Sequence, residues 1–225
     1  MPNPPKTPRP DPEALLLMGL LAVSVLGIGA FLWHSGVYSN FATALRHSAF
    51  NVVSVASTTG YANTDYNLWP VFAPVWMLFL SCFCTCSGST GGGIKMIRAR
   101  LMFHQALREM TRIVHPRAQV PVKLSGHPVE NNIIFAVLAF MLMYGGTITV
   151  STMLLAASGL DSISAFSAAI ACINNMGPGL NQVGPATTFA VLNDFQTWVC
   201  TVTLLLGRLE LFTLIVVFTP SFWRR

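Results

Sequence analysis

Long uncharged apolar runs alternate with shorter mixed segments along this chain. Ala14 to Trp33 and Asn132 to Ala157 contain no charged residue, and each has the roughly 20 apolar residues that a membrane-crossing helix needs. Gln196 to Thr219 is also long and apolar, but carries Arg208 and Glu210. Trp69 to Cys86 is slightly short and runs into S-G-S-T-G-G-G, after which a helical pattern resumes at Ile94. This pattern predicts four spans, the second broken in its middle. Irregular backbone at bilayer depth is tolerated only where protein or a water-filled cavity surrounds it.

Between the spans of each pair lie segments longer than a turn requires, Ser35 to Leu68 and Ser158 to Phe195. Each opens with a helix-like stretch too polar and too short to span. These are F-A-T-A-L-R-H-S-A-F-N-V-V-S-V-A-S and D-S-I-S-A-F-S-A-A-I-A-C-I-N. Each then passes into glycine-bearing backbone, T-T-G-Y-A in the first and N-M-G-P-G-L in the second. Gly60 and Gly177 are 117 residues apart, as are Glu13 and Glu130 just before the odd-numbered spans. Self-similarity at a fixed offset marks a tandem repeat. Both copies start on the same side of the membrane, so the repeat is parallel and unlike the inverted repeats of many transporters.

Charge gives the orientation. Ten of the thirteen Lys and Arg residues lie before the first span, after the second or after the fourth: Lys6, Arg9, Arg98, Arg100, Arg108, Arg112, Arg117, Lys123, Arg224 and Arg225. By the positive-inside rule that face is cytoplasmic. The basic stretch from Arg98 to Lys123 also suits docking of a cytosolic partner or of anionic lipid. Charged residues make up only 9% of the chain and hydrophobic ones 53%, against about 25% charged in soluble domains. An integral membrane protein follows. No cleavable signal peptide is expected, because Met1 to Pro12 is polar and proline-rich. The cysteines Cys82, Cys84, Cys86, Cys172 and Cys200 lack the paired spacing of a metal site and read as small packing residues.

A re-entrant helix followed by extended glycine-bearing backbone is how a cation filter is built. Main-chain carbonyl oxygens replace the ion's water, and glycine permits the backbone that aims them. The preceding helix points its partly negative C-terminal end at the same place. No acidic side chain lies in either segment, which suits a weakly hydrated monovalent ion. Arg208, an ionisable residue in mid-span, is expected to face a cavity or a partner. Near an ion path it would discourage resting cation occupancy or tether a gate; capping carbonyls of the glycine-rich break is the structural alternative. Lys95 serves either a gating contact or snorkelling to the interface.

Four motifs, S-T-T-G-Y-A (Ser57 to Ala62), G-S-T-G-G-G-I-K (Gly88 to Lys95), N-N-M-G-P-G-L (Asn174 to Leu180) and L-G-R-L-E-L-F-T (Leu206 to Thr213), resemble the Trk/Ktr/HKT superfamily of potassium transporters. The resemblance is to membrane subunits of the TrkH type and covers all but about the first dozen residues. It implies a pore of four units, of which this chain holds the third and fourth. It further implies that Thr58, Thr59, Gly60 and Tyr61 form the third filter segment, and Asn175, Met176, Gly177 and Pro178 the fourth. Gly91, Gly92 and Gly93 would form an intramembrane gating loop, with Lys95 beside it and Arg208 facing the pore. Implied partners are the two missing units or a second copy, membrane lipid, a cytosolic nucleotide-binding regulator and a second full transporter in a homodimer. No nucleic-acid partner and no cofactor are expected; potassium is substrate, held by carbonyls alone.

The expected fold is an all-α integral membrane domain of two tandem parallel membrane–pore loop–membrane units. The expected divisions are an N-terminal cytoplasmic segment 1–12, a first unit 13–114, a cytoplasmic linker 115–128, a second unit 129–219 and a tail 220–225. The expected activity is potassium uptake across the cytoplasmic membrane, without enzyme chemistry; a non-conducting structural subunit is the alternative. A phosphate loop at G-S-T-G-G-G-I-K fails because Lys95 follows Ile94 rather than glycine. A hydrolase built on Ser89 and His47 lacks the Gly-x-Ser-x-Gly pattern. The remaining histidines, His34, His104, His115 and His127, receive no role.

Overall fold

The computed structural model describes residues 12–209 apart from 87, 90, 119, 125 and 126, together with 216 and 220–223. The expectations for segment 1–11, for Glu210 and for most of the last span beyond Leu209 lie outside the described residues. Helix α1 spans Pro12–His34, α2 Phe41–Ala56, α3 Phe72–Phe83, α4 Met96–Val114, α5 Asn131–Ala157, α6 Ser162–Ile173, α7 Asp194–Arg208 and α8 Pro220–Trp223. One addition to the all-helical expectation is a two-stranded antiparallel hairpin between α4 and α5, with Lys123 opposite Pro128 and Leu124 opposite His127.

Length separates the helices into two kinds. At 1.5 Å per residue, the 23 residues of α1 and the 27 of α5 reach about 35 and 40 Å, enough for a hydrocarbon layer of about 30 Å. Both are apolar all round, with outward residues such as Val23 (69% exposed) and Leu142 (76%) presenting a face suited to lipid or to further protein. By contrast α2, α3 and α6, at 16, 12 and 12 residues, cover about 24, 18 and 18 Å. The break predicted within the second span is present: α3 ends at Phe83 and helix resumes at Met96, two residues later than the sequence pattern suggests.

The order long helix, short helix, third helix occurs twice and packs alike in each copy. In the first, α1 receives the Ser48 hydroxyl at Val25 O (2.8 Å) and Ser24 Oγ accepts from Trp76 Nε1 of α3 (3.1 Å). In the second, Ser151 of α5 and Thr203 of α7 share a hydrogen bond at 2.8 Å. Asn193 and Gln196 cap α7 reciprocally, and Gln196 Nε2 donates to Ser158 Oγ at 2.9 Å. The main core is shared between the copies: Leu32, Val52, Val55, Met77 and Leu80 from the first meet Ile173 and Met176 from the second, all 2% exposed or less.

The offset of 117 does not run through every element. It holds at the ends of α2 and α6 and in the turns beyond them, yet Gly36 and Gly159, matched in the turns after α1 and α5, are 123 apart. The long helix gains residues in the second copy; the connection after it is two residues shorter and α6 is four shorter than α2, which together restore the register before the turn. Cys82, Cys84, Cys172 and Cys200 are buried as packing residues, whereas Cys86 is half-buried.

Candidate functional site

The two short helices end in the same motif. Ser57 closes α2, Thr58 turns left-handed at φ 56°, Thr58 N donates to Val55 O (3.1 Å) and Thr59 N to Ser54 O (2.9 Å). Asn174 closes α6, Asn175 turns at φ 54°, Asn175 N donates to Cys172 O (3.0 Å) and Met176 N to Ala171 O (2.9 Å). Both are Schellman caps, the paired bonds satisfying carbonyls that a helix end otherwise leaves open. Two residues further on, Gly60 (φ 83°) and Gly177 (φ 101°) redirect the chain again. A side chain at either position would be strained. Every one of these positions obeys the 117 offset.

The two turns are neighbours in space. A β-carbon placed on Gly60 would overlap the carbonyl oxygen of Met176, and one on Gly177 would lie 3.7 Å from the α-carbon of Gly60. The predicted residues Thr58 to Tyr61 and Asn175 to Pro178 are therefore brought together by their glycines. Tyr61 is 71% exposed, while the Met176 side chain is buried in the shared core at 2%. A cavity of about 530 Å³ adjoins the turns, with Gly60, Ala62, Gly177 and Pro178 in its wall.

The glycine-rich segment packs against these same turns. After α3 the chain doubles back: Ile94 N donates to Cys82 O (2.8 Å), Met96 N to Thr85 O (2.8 Å), and Thr85 Oγ1 to Gly92 O (3.0 Å). An added β-carbon would approach Thr85 Cγ2 (2.7 Å) and Thr58 Oγ1 (3.2 Å) at Gly91, the main chain of Asn174 at Gly92, and Cys82 O (2.8 Å) at Gly93. The triple glycine thus lets one loop touch both turns, through the Thr58 side chain in the first and the Asn174 backbone in the second. Gly207 of α7 makes a similar approach to Ile173 O. Lys95 follows with φ 65°, an uncommon conformation for a non-glycine residue.

All the predicted gating residues, Gly91, Gly92, Gly93, Lys95 and Arg208, line one cavity of about 310 Å³. Arg98 lines it too, its guanidinium 4.1 Å from the centre of the Phe140 ring. Cationic side chains therefore border the space on the loop side of the turns. His47 and Ser89 are otherwise engaged: His47 Nδ1 bonds Asn63 Oδ1 at 3.2 Å, and Ser89 Oγ accepts from Gly91 N at 3.1 Å.

Sequence reasoning missed the residue that ties this site together. Asn174 is fully buried; its Oδ1 accepts from the Tyr144 hydroxyl (2.6 Å), and its Nδ2 donates to Ser81 Oγ (2.9 Å) and Cys82 Sγ (3.4 Å). One side chain joins α5, α3 and the turn after α6, beside the glycine loop. Two signals pointed to it: an Asn-Asn pair ending an apolar helix, and a phenol in mid-span, whose hydroxyl needs a buried partner. A second missed network lies on the opposite side of the turns. Asn67 Oδ1 accepts from Asn181 N (3.0 Å), and Asp161 accepts from Asn181 Nδ2 (3.0 Å), Gln182 Nε2 (2.9 Å) and Ser164 N (3.1 Å). Asp161 lies in the connection between α5 and α6. Desolvation opposes its ionisation, but hydrogen bonds from Ser164, Asn181 and the Ile163 amide outweigh it and hold the carboxyl below its ordinary range.

The sequence profile of the family described as "TrkH: Cation transport protein" matches residues 15–225. The chain is 40% identical over 214 residues to the Trk system potassium uptake protein TrkH of Salmonella typhimurium, covering 95% of this chain and 44% of that protein. It is 35% identical over 206 residues to the Trk system potassium uptake protein TrkG of Escherichia coli, covering 91% and 42%. The crystal structure of the potassium transporter TrkH from Vibrio parahaemolyticus superposes with a TM-score of 0.88 at 40% identity, over 95% of this chain and 45% of that one. The chain thus spans a little under half the length of the curated relatives it matches. With its helical fold, paired glycine turns and intervening glycine loop, the chain belongs to the TrkH family of cation transport proteins.

Proposed function

We propose that this chain supplies two membrane–pore loop–membrane units, half of a four-unit pore, for potassium uptake across the cytoplasmic membrane. Potassium sheds water against main-chain oxygens of Thr58 to Tyr61 and Asn175 to Pro178, together with the corresponding segments of two further units. Helices α2 and α6 aim their C-terminal ends, each carrying about half an elementary negative charge, at that ion. Gly91, Gly92 and Gly93 form the gate. Resting against Asn174 and Thr58, they obstruct the path, and their displacement opens it. Lys95 and Arg208 make the space beside the loop unfavourable for a resting cation. A cytosolic nucleotide-binding regulator acts on the loop through the basic α4 and the hairpin after it, and the complete transporter pairs as a homodimer.

The observation that carries this reading is the pairing of two identical left-handed turns whose glycines adjoin one another and one shared glycine loop. A β-branched Thr58 held at φ 56° adds backbone strain of the kind found at working sites. The test is growth of cells lacking potassium uptake on limiting potassium. The chain is expressed alone and with two further units of the same family. Rescue by the pair, abolished by Gly92→Val, is the expected result. Failure of the pair despite correct membrane insertion would mean a non-conducting subunit.

A further inference from the structure

A crevice of about 880 Å³ runs between α3 of the first copy and α5 and α6 of the second. Its volume lies within the ordinary range of ligand sites, about 300–1,000 Å³. Along α3, of only 12 residues, it opens between the two copies. Val75 and Phe79 form one wall and Ile163 and Phe166 the other, all between 49% and 59% exposed. These walls offer water no hydrogen-bond partner.

The polarity of the crevice is graded. Asn67, Asn181 and Ser162 sit at one end, next to Trp69, on the side of the turns away from the basic α4. Amides and an indole at this level match the interfacial belt of a membrane protein. The walls between are apolar. The far end is closed by Cys82, Ile94 and Tyr144, beside the glycine loop and the phenol that holds Asn174. A molecule with a polar head at one end and a single hydrocarbon tail at the other fits this gradient.

We propose that the crevice binds one acyl chain of a bilayer lipid, its polar head at the Asn67–Asn181 rim beside the Asp161 carboxylate and its terminal methyl behind Ile94. Ile94 follows Gly93 directly, so the tail packs against the anchor of the glycine loop. Lipid packing in that leaflet then bears on the loop without any protein partner. The inference rests on the membrane reading given under the proposed function.

The test is photolabelling of the full chain together with two further units of the same family, reconstituted in bilayers of phosphatidylethanolamine and phosphatidylglycerol. A trace lipid carries a diazirine near the end of one acyl chain, and labelled peptides are mapped by mass spectrometry. Label on Phe72–Phe83 and Ser162–Ile173 is expected several-fold above that on α1, which serves as a bulk lipid-facing control. The double variant Val75→Trp and Ile163→Trp alters exposed positions only and fills the crevice; it should lower wall labelling to the α1 level. Ile163→Leu should leave it intact. Labelled α1 with no excess at the walls would overturn the lipid site while leaving the membrane reading in place. No label on α1 or the walls would overturn both. Recovery of the wall peptides cross-linked to a second copy of the chain would assign the crevice to self-association and reject the lipid.

Discussion

The hydroxyl of Tyr144 donates to Oδ1 of Asn174 at 2.6 Å, inside the protein and at the junction of α5, α3 and the turn that follows α6. Asn174 Nδ2 donates in turn to Ser81 Oγ, and the Asn174 backbone touches Gly92. A single amide thus fixes the second turn, the wall of the fold and the glycine loop relative to one another.

Removing that amide should be costly. Asn174→Ala leaves the Tyr144 hydroxyl buried without its partner, at about 1–3 kcal/mol, while Ser81 keeps its bond to Leu78 O at 2.6 Å. Tyr144→Phe removes one donor only and should cost about 1 kcal/mol. Thermal unfolding in detergent micelles measures both. In the double variant the costs should fall short of their sum, since the two side chains share one bond; strict additivity would show that they act independently.

The three loop glycines are predicted to differ sharply from the glycine just before them. A methyl group at Gly92 overlaps the Asn174 main chain, whereas one at Gly88 meets nothing within 4 Å. Gly92→Ala should therefore displace the loop or the second turn and reduce uptake, while Gly88→Ala should be neutral within about 0.5 kcal/mol. Equal behaviour of the two variants would mean that the close approach of loop and turn carries no weight.

Thr58 is a β-branched residue at φ 56°, a conformation that costs an L-residue roughly 1–2 kcal/mol. Thr58→Gly is expected to raise the unfolding temperature and to alter ion selectivity. The two effects trade stability against function, as strain at working sites does. Asn175→Gly should gain less, because asparagine tolerates this region.

Asp161 confers a dependence on acidity. Its folded carboxyl titrates below its unfolded value, so the stability it contributes is complete above the ordinary carboxylate range and disappears as pH falls through the lowered folded value. The unfolding temperature should fall on acidification through that window. Asp161→Asn retains an oxygen for the α6 N-terminus and should flatten the dependence. A variant that loses stability on acidification as steeply as the parent would place the effect elsewhere.

Much of this architecture was legible in the residues because the membrane imposes simple length and polarity rules. Ala14 to Trp33 had no alternative to a helix, and the break at Gly91 to Gly93 announced itself. The doubled T-T-G-Y and N-M-G-P segments located the paired turns through Gly60 and Gly177. What escaped was whatever depended on contacts remote along the chain. Thr58 and Asn175 carry no glycine signature, yet they take the left-handed position of the caps. Asn174 and Tyr144 are 30 residues apart, and Asn67 and Asn181 are 114 apart; no local pattern pairs them. The 117 offset did not reveal that α5 is longer than α1 and α6 shorter than α2, a change that conserves the register of the turn and leaves no mark in composition.

The most direct test of the central claim is the ratio of potassium to sodium flux, measured in proteoliposomes holding this chain with two further units, for the parent and for Gly60→Ser and Gly177→Ser. Each serine must adopt a left-handed conformation, and at Gly60 it also overlaps Met176. The expected result is a selectivity for potassium in the parent that either substitution largely abolishes. Unchanged selectivity and rate in both variants would contradict the assignment of these turns to the ion path.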